Sequence, residues 1–148
     1  MLSIDYNVLK DEIISILNRE RSIVLATSYE NKVTARTMSH VNSGLDIYFQ
    51  TGGDSVKAEQ IKNNPQIAFA TANMQIEATA EICGGTYDAL SFLDMYKVKF
   101  PEYYKMYSSI PDEIVIKASP SKITLYKYID GKPCREVLNV LQEKAYSI

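Results

Sequence analysis

This sequence predicts a mainly β protein: an antiparallel sheet closed into a small barrel of about six to seven strands, with helices on its outside. Three observations lead there. Short β-favouring runs alternate with turn signals along most of the chain. Most consecutive runs are close enough to be joined as hairpins, which favours antiparallel pairing over a parallel α/β sheet. Closing such a sheet removes edges that would otherwise stay exposed. An open α+β sheet is the alternative.

The elements follow in chain order. Apolar residues at 8, 9, 13, 16 and 17 have the spacing of an amphipathic helix over Val8–Leu17. Ser22–Tyr29 and Lys32–His40 are strands separated by Glu30-Asn31, a tight hairpin. Asn42-Ser43-Gly44 turns the chain into a strand over Leu45–Thr51. Gly52-Gly53 then allows a sharp turn, Asp54 or Ser55 caps a short helix, and Asn63-Asn64-Pro65 ends it. Gln66–Ala72 and Gln75–Cys83 form another strand pair, broken by Gly84-Gly85. Tyr87–Tyr107 reads as one or two helices, with Pro101 suited to the first turn of the second. Glu113–Ala118 and Lys122–Ile129 are strands on either side of Pro120. Asp130-Gly131 is a turn, and Val137, Leu138 and Leu141 suggest a closing helix.

Composition narrows the function. The 148 residues suit one domain, 1–148, with no internal repeat or interdomain linker. Apolar residues make up 46% and charged residues 23%, a globular balance. A net charge of −2 argues against a nucleic-acid partner, which needs a strongly basic face. No uncharged run is long enough to span a bilayer, so no membrane role is expected. Two cysteines, Cys83 and Cys134, with one histidine and no CxxC, argue against a metal site and fit a reducing cytoplasm.

The chemistry concentrates in FQTGGDSVKAEQIKNNP, Phe49–Pro65. Thr51, Ser55 and Lys57 converge near a helix N-terminus, whose free N–H groups and dipole favour an anion. Arg36, on the strand KVTARTMSH just upstream, supplies a fork-shaped second cation. This is a phosphate site in outline, although the GxxxxGK[ST] of a P-loop is absent. His40 is the candidate acid–base residue, because histidine titrates near neutrality. Tyr96, Tyr103, Tyr104 and Tyr107 either cover a substrate cleft or serve helix packing or a dimer contact.

Phe49-x-Thr51, with Ser55-x-Lys57-Ala58-x-Gln60-Ile61-x-Asn63-Asn64-Pro65, resembles the FMN-binding segment of the pyridoxamine 5′-phosphate oxidase-like family. Arg36-Thr37-Met38-Ser39 resembles its Arg-bearing flavin strand, Ala78-Thr79-Ala80-Glu81 a later strand, and Pro120–Tyr126 the last barrel strand of its shorter members. The resemblance implies a split β-barrel and a homodimer binding two FMN molecules at its interface. It also implies that Arg36, Thr51, Ser55 and Lys57 hold the phosphate, with Thr37, Met38 and Ser39 along the isoalloxazine edge and Gln50 nearby. Val56 stands where the oxidase itself commonly has a basic residue. The chain also has no Trp and ends in VLQEKAYSI, without the segment that grips the vitamin substrate. A short member other than the oxidase is therefore expected. Its expected function is an FMN-dependent oxidoreductase acting on a small organic molecule with an NAD(P)H-type donor. The alternatives are a non-enzymatic flavin-binding or sensing protein, and a haem-binding member with His40 or a tyrosine as iron ligand.

Overall fold

The first long helix begins where Asp5 offers its carboxylate: Oδ1 accepts the Val8 N–H at 3.0 Å and caps α1 (Tyr6–Arg19). In the computed structural model, which describes residues 1–148, a short strand β1 (Leu2–Ile4) precedes it. The hairpin β2 (Ser22–Tyr29) to β3 (Lys32–Ser39) turns through Glu30 and Asn31 at φ 50° and 65°. Two successive left-handed residues make the turn whose twist matches the strands it joins. β4 (Val41–Ser43) and β5 (Asp46–Gly52) follow, then α2 (Val56–Asn63), β6 (Gln66–Thr71) and β7 (Met74–Gly85). The helical segment resolves into a 3₁₀ turn at Thr86–Asp88, α3 (Leu90–Lys99) and α4 (Pro101–Tyr107), with Pro101 opening the last. The chain closes with β8 (Glu113–Ile129), β9 (Lys132–Asn139) and β10 (Lys144–Ser147).

All ten strands belong to one antiparallel sheet in the order β1-β10-β9-β8-β7-β6-β2-β3, with β5 joined to β8 and β4 to β5. β8 explains how one sheet can wrap. Its first half pairs with β5 and its second half with β9, while β7 runs along the other side. No ladder joins β3 to β5, so the barrel is split there. Inside lie Leu25, Ile47, Phe49, Phe69, Ile76, Ile116 and Ile123, plugged by Ile13 and Leu17 of α1. The antiparallel split barrel with peripheral helices is thus observed, and the strand count exceeds six or seven because three strands are only three or four residues long.

Three local expectations are corrected. Glu113–Ala118 and Lys122–Ile129 are a single strand, because Pro120 lies opposite Ala78 where the β7–β8 register shifts. At such a bulge the missing proline N–H leaves no ladder bond broken. The closing helix is absent. Asp130 and Gly131, at φ 52° and 76°, return the chain beside β8. Val137 and Leu138 are buried strand neighbours, while Leu141 is 82% exposed in the following turn. Three apolar residues within five positions cannot distinguish the helical period from the strand period. Finally, the sharp turn expected at Gly52-Gly53 uses no left-handed glycine. A Cβ at Gly53 would stand 3.0 Å from the Asp112 carbonyl, which accepts the Gly53 N–H at 2.8 Å. Glycine serves close approach at this turn, and so ties the start of α2 to the start of β8.

A second apolar cluster, Val41, Phe92, Leu93, Tyr96, Phe100 and Val115, docks α3 on the outer face of β5 and β8. Its rings continue outward as a ladder: Phe100 stacks on Tyr103 at 5.6 Å, and Tyr103 meets Tyr107 at 6.0 Å. No helix is long and apolar enough to cross a membrane.

Candidate functional site

Ser55 is the residue that caps α2: its Oγ accepts the Ala58 N–H at 3.2 Å and lies 3.2 Å from Thr51 Oγ1. Two hydroxyls therefore flank the first turn of the helix, whose dipole favours negative charge. Lys57 rises from that same turn. Burial pushes its pKa down from the usual lysine value, the Arg36 guanidinium lowers it further, and Glu113 partly opposes both. The two cations thus feel one another's charge, and neither has a carboxylate within ion-pair distance.

Arg36 is held from behind. Alternation along β3 places Thr34, Arg36 and Met38 on its half-buried face. Arg36 Nη1 donates to Thr27 Oγ1 at 2.8 Å, and Nη2 donates to Thr34 Oγ1. Both threonine hydroxyls donate in turn to Gln60 Oε1, at 2.5 and 2.7 Å, while Gln60 Nε2 donates to the Lys32 carbonyl at 3.2 Å. A residue of α2 therefore sets the angle of the guanidinium on β3, the arrangement that fixes a planar cation for an anion. Burial also lowers the pKa of Arg36.

Beside this group of cations and hydroxyls is an open cleft of about 340 Å³. Thr37, Met38 and Ser39 at the end of β3, with Gln50 of β5, form one wall; Tyr96, Tyr103, Tyr107 and Glu113 form the other. Gln50 pairs with Val115 and Gly52 with Glu113, so Gln50 and Glu113 are diagonal neighbours on the outer face. Gln50 Nε2 donates to the Tyr107 carbonyl at 2.9 Å and to Glu113 Oε1 at 3.4 Å. Burial pushes the Tyr96 phenol up to about 12, with Tyr107, Tyr103 and Glu113 adding to the shift. Glu113 links the two regions, since it lines the cleft and its charge is felt at Lys57.

Eight residues of the sequence-derived site, Arg36, Thr37, Met38, Ser39, Gln50, Thr51, Ser55 and Lys57, thus fall in two adjoining groups. His40 stands apart, 1% exposed between β3 and β4, and does not line the cleft. Its Nε2 lies 3.0 Å from the Leu17 carbonyl and 3.3 Å from Lys99 Nζ, and Nδ1 has no partner. Burial first, then Lys99, lowers its pKa to about 4, against the raising effect of the Leu17 carbonyl. Sequence reasoning also missed Gln60, Thr27, Thr34 and Glu113 as site residues. Gln60 sat within the motif with no role attached, and no spacing rule connects it to Arg36 across 24 positions.

Comparison with known proteins gives a consistent picture. The family model described as pyridoxamine 5′-phosphate oxidase matches residues 9–127. General stress protein 26 of Bacillus subtilis is 34% identical over 83 residues, covering 50% of this chain and 59% of that protein. The chain therefore spans about three fifths of that curated relative's length. Among solved structures, a Clostridium acetobutylicum protein related to general stress protein 26 superposes with a TM-score of 0.69 at 16% identity, over 95% of this chain and 99% of that one. The haem storage protein HutZ of Vibrio cholerae gives 0.67 at 14%, over 79% and 94%. A FAD-binding protein of Mesorhizobium loti gives 0.61 at 11%, over 76% and 89%. At these identities the structural likeness shows the fold alone.

Proposed function

The chain belongs to the pyridoxamine 5′-phosphate oxidase family, and on that premise we propose that it is an FMN-binding flavoprotein, an oxidoreductase acting on a small organic molecule with an NAD(P)H-type electron donor. The observation that carries this reading is the coupled pair of cations Arg36 and Lys57, without a carboxylate in ion-pair distance, with the Thr51 and Ser55 hydroxyls at the N-terminus of α2. A phosphate monoester supplies the charge these groups lack, and each charge-assisted hydrogen bond to it contributes about 1.5–3 kcal/mol. Arg36, Thr51, Ser55 and Lys57 would hold the phosphate, with Thr37, Met38, Ser39 and Gln50 against the flavin ring. Bound FMN would supply two-electron redox chemistry, while the protein orients the ring and limits access to it.

A homodimer with FMN at its interface fits the outer face of the β2–β3 hairpin. Its register aligns Val24 with Thr37, Ala26 with Ala35 and Ser28 with Val33, an uncharged strip in which Val33 is 71% exposed. The one domain, 1–148, would work in the cytoplasm, a setting that suits its two free thiols, Cys83 and Cys134. The haem reading draws support from the fold shared with HutZ. It is second here because His40 is buried, with Nε2 engaged by Leu17 and Lys99.

The visible spectrum of the purified protein tests the proposal. Bands at about 370 and 450 nm are expected for flavin, whereas an intense Soret band would indicate haem. Arg36→Ala and Lys57→Ala should each weaken FMN binding roughly ten- to a hundredfold, measured by titrating FMN into the stripped protein. Unchanged affinity in both variants would overturn the phosphate assignment. A non-enzymatic flavin protein would bind FMN yet show no bleaching on anaerobic mixing with NADH or NADPH.

A further inference from the structure

The cleft beside the anion subsite has the opposite electrostatic character. Two of its oxygen acceptors, Gln50 Oε1 and Glu113 Oε2, are buried and have no hydrogen-bond partner. Buried acceptors left unpaired are costly, so their presence together in one cavity points to donors that arrive with a ligand. Glu113 makes no ion pair: Lys57, whose pKa its charge raises, lies beyond ion-pair distance. The remaining wall is made of Tyr96, Tyr103 and Tyr107, whose ring faces attract cations and flat groups.

We propose that the Glu113 and tyrosine wall of this cleft, across from the β3 residues that would lie against the flavin ring, is the substrate subsite, and that it takes a small, flat, positively charged group rich in N–H donors, such as an amidinium. Glu113 Oε2 and Gln50 Oε1 each accept one of its hydrogens, and the tyrosines stack on its plane. Gln50 is oriented for this because its own N–H is already committed to the Tyr107 carbonyl. The inference rests on the flavin reading only for the nature of the group that the bound cation would face. The site then selects by charge at two places, for a phosphate at Arg36 and Lys57 and for a cation at Glu113.

Three probes share one ring and differ in charge: benzamidine, benzamide and benzoate. Calorimetric titration into the full chain, with and without added FMN, should show benzamidine binding about tenfold or more tighter than benzamide, with benzoate weakest. Glu113→Gln should lower benzamidine affinity about tenfold and leave benzamide within about twofold. The same variant should lose much less affinity for FMN than for benzamidine, since Glu113 is not among the residues that would hold the phosphate. Equal affinity for benzamidine and benzamide in the wild type, which needs no variant, would overturn the proposal. So would a Glu113→Gln protein that keeps the preference, or one that loses FMN, because Glu113 would then belong to the cofactor's own site. If the flavin reading failed instead, FMN would not bind while the benzamidine preference persisted.

Discussion

At the scale of single residues, the protein spends buried polar groups in two ways. Arg36 is propped by Thr27, Thr34 and Gln60, and its charge is felt at Lys57. His40, by contrast, is enclosed with Lys99 and held neutral at physiological pH, its pKa near 4. The linkage sign follows. The unfolded chain, with histidine near 6.5, binds a proton that the folded chain refuses, so stability is fully present above about pH 6.5 and is lost as pH falls toward 4. His40 should account for about 2 kcal/mol of stability lost between about pH 7 and pH 5, and His40→Gln should flatten that limb in urea unfolding. An unchanged acid limb would show that other groups govern it. Ser55 and Lys57 were legible because they follow the Gly52-Gly53 turn at a helix start, and Arg36 because it is the one cation within the strand VTARTMS. The burial of His40 was not, since its neighbours Leu17 and Lys99 lie 23 and 59 positions away.

Elements of this chain are specified by caps and turns more than by periodicity. Asp5 and Ser55 each cap a helix by accepting the N–H three residues on. Replacing either by Ala should cost about 1 kcal/mol of stability in denaturant unfolding. Ser55→Ala alone should also weaken FMN binding, by roughly fivefold or more, because only its hydroxyl stands beside Thr51 and Lys57. Equal FMN affinity in the two variants would remove Ser55 from the phosphate site. The left-handed pairs Glu30-Asn31 and Asp130-Gly131 were readable as hairpins from residue type. The strand after the second pair was misjudged as a helix, because its burial comes from two different neighbours, β8 and β10. Pro120 misled in the same way: it breaks a regular ladder, yet here it sits at a bulge that its partner strand absorbs.

On the scale of the whole molecule, the split barrel leaves β3 as an edge that carries the Arg36 side chain on one face and an uncharged strip on the other. A second copy covering that strip would place the flavin strand at the interface. Light scattering should therefore give about twice the 16.7 kDa chain mass, and Val33→Glu should shift it toward the monomer while releasing FMN. A wild-type monomer that still binds FMN would separate the cofactor from the assembly. By itself the sequence determined the antiparallel β class, most hairpins and the capped start of α2 with Thr51, Ser55 and Lys57, because each rests on residues within a few positions of one another, where turn chemistry and helix capping act. Tertiary structure alone decided three things: Gln60 sets Arg36, Gly53 is needed for close approach to Asp112, and Glu113 joins Gln50 and the tyrosines in one cleft. Those contacts span tens of residues, and only closure of the sheet around β8 brings their partners within reach.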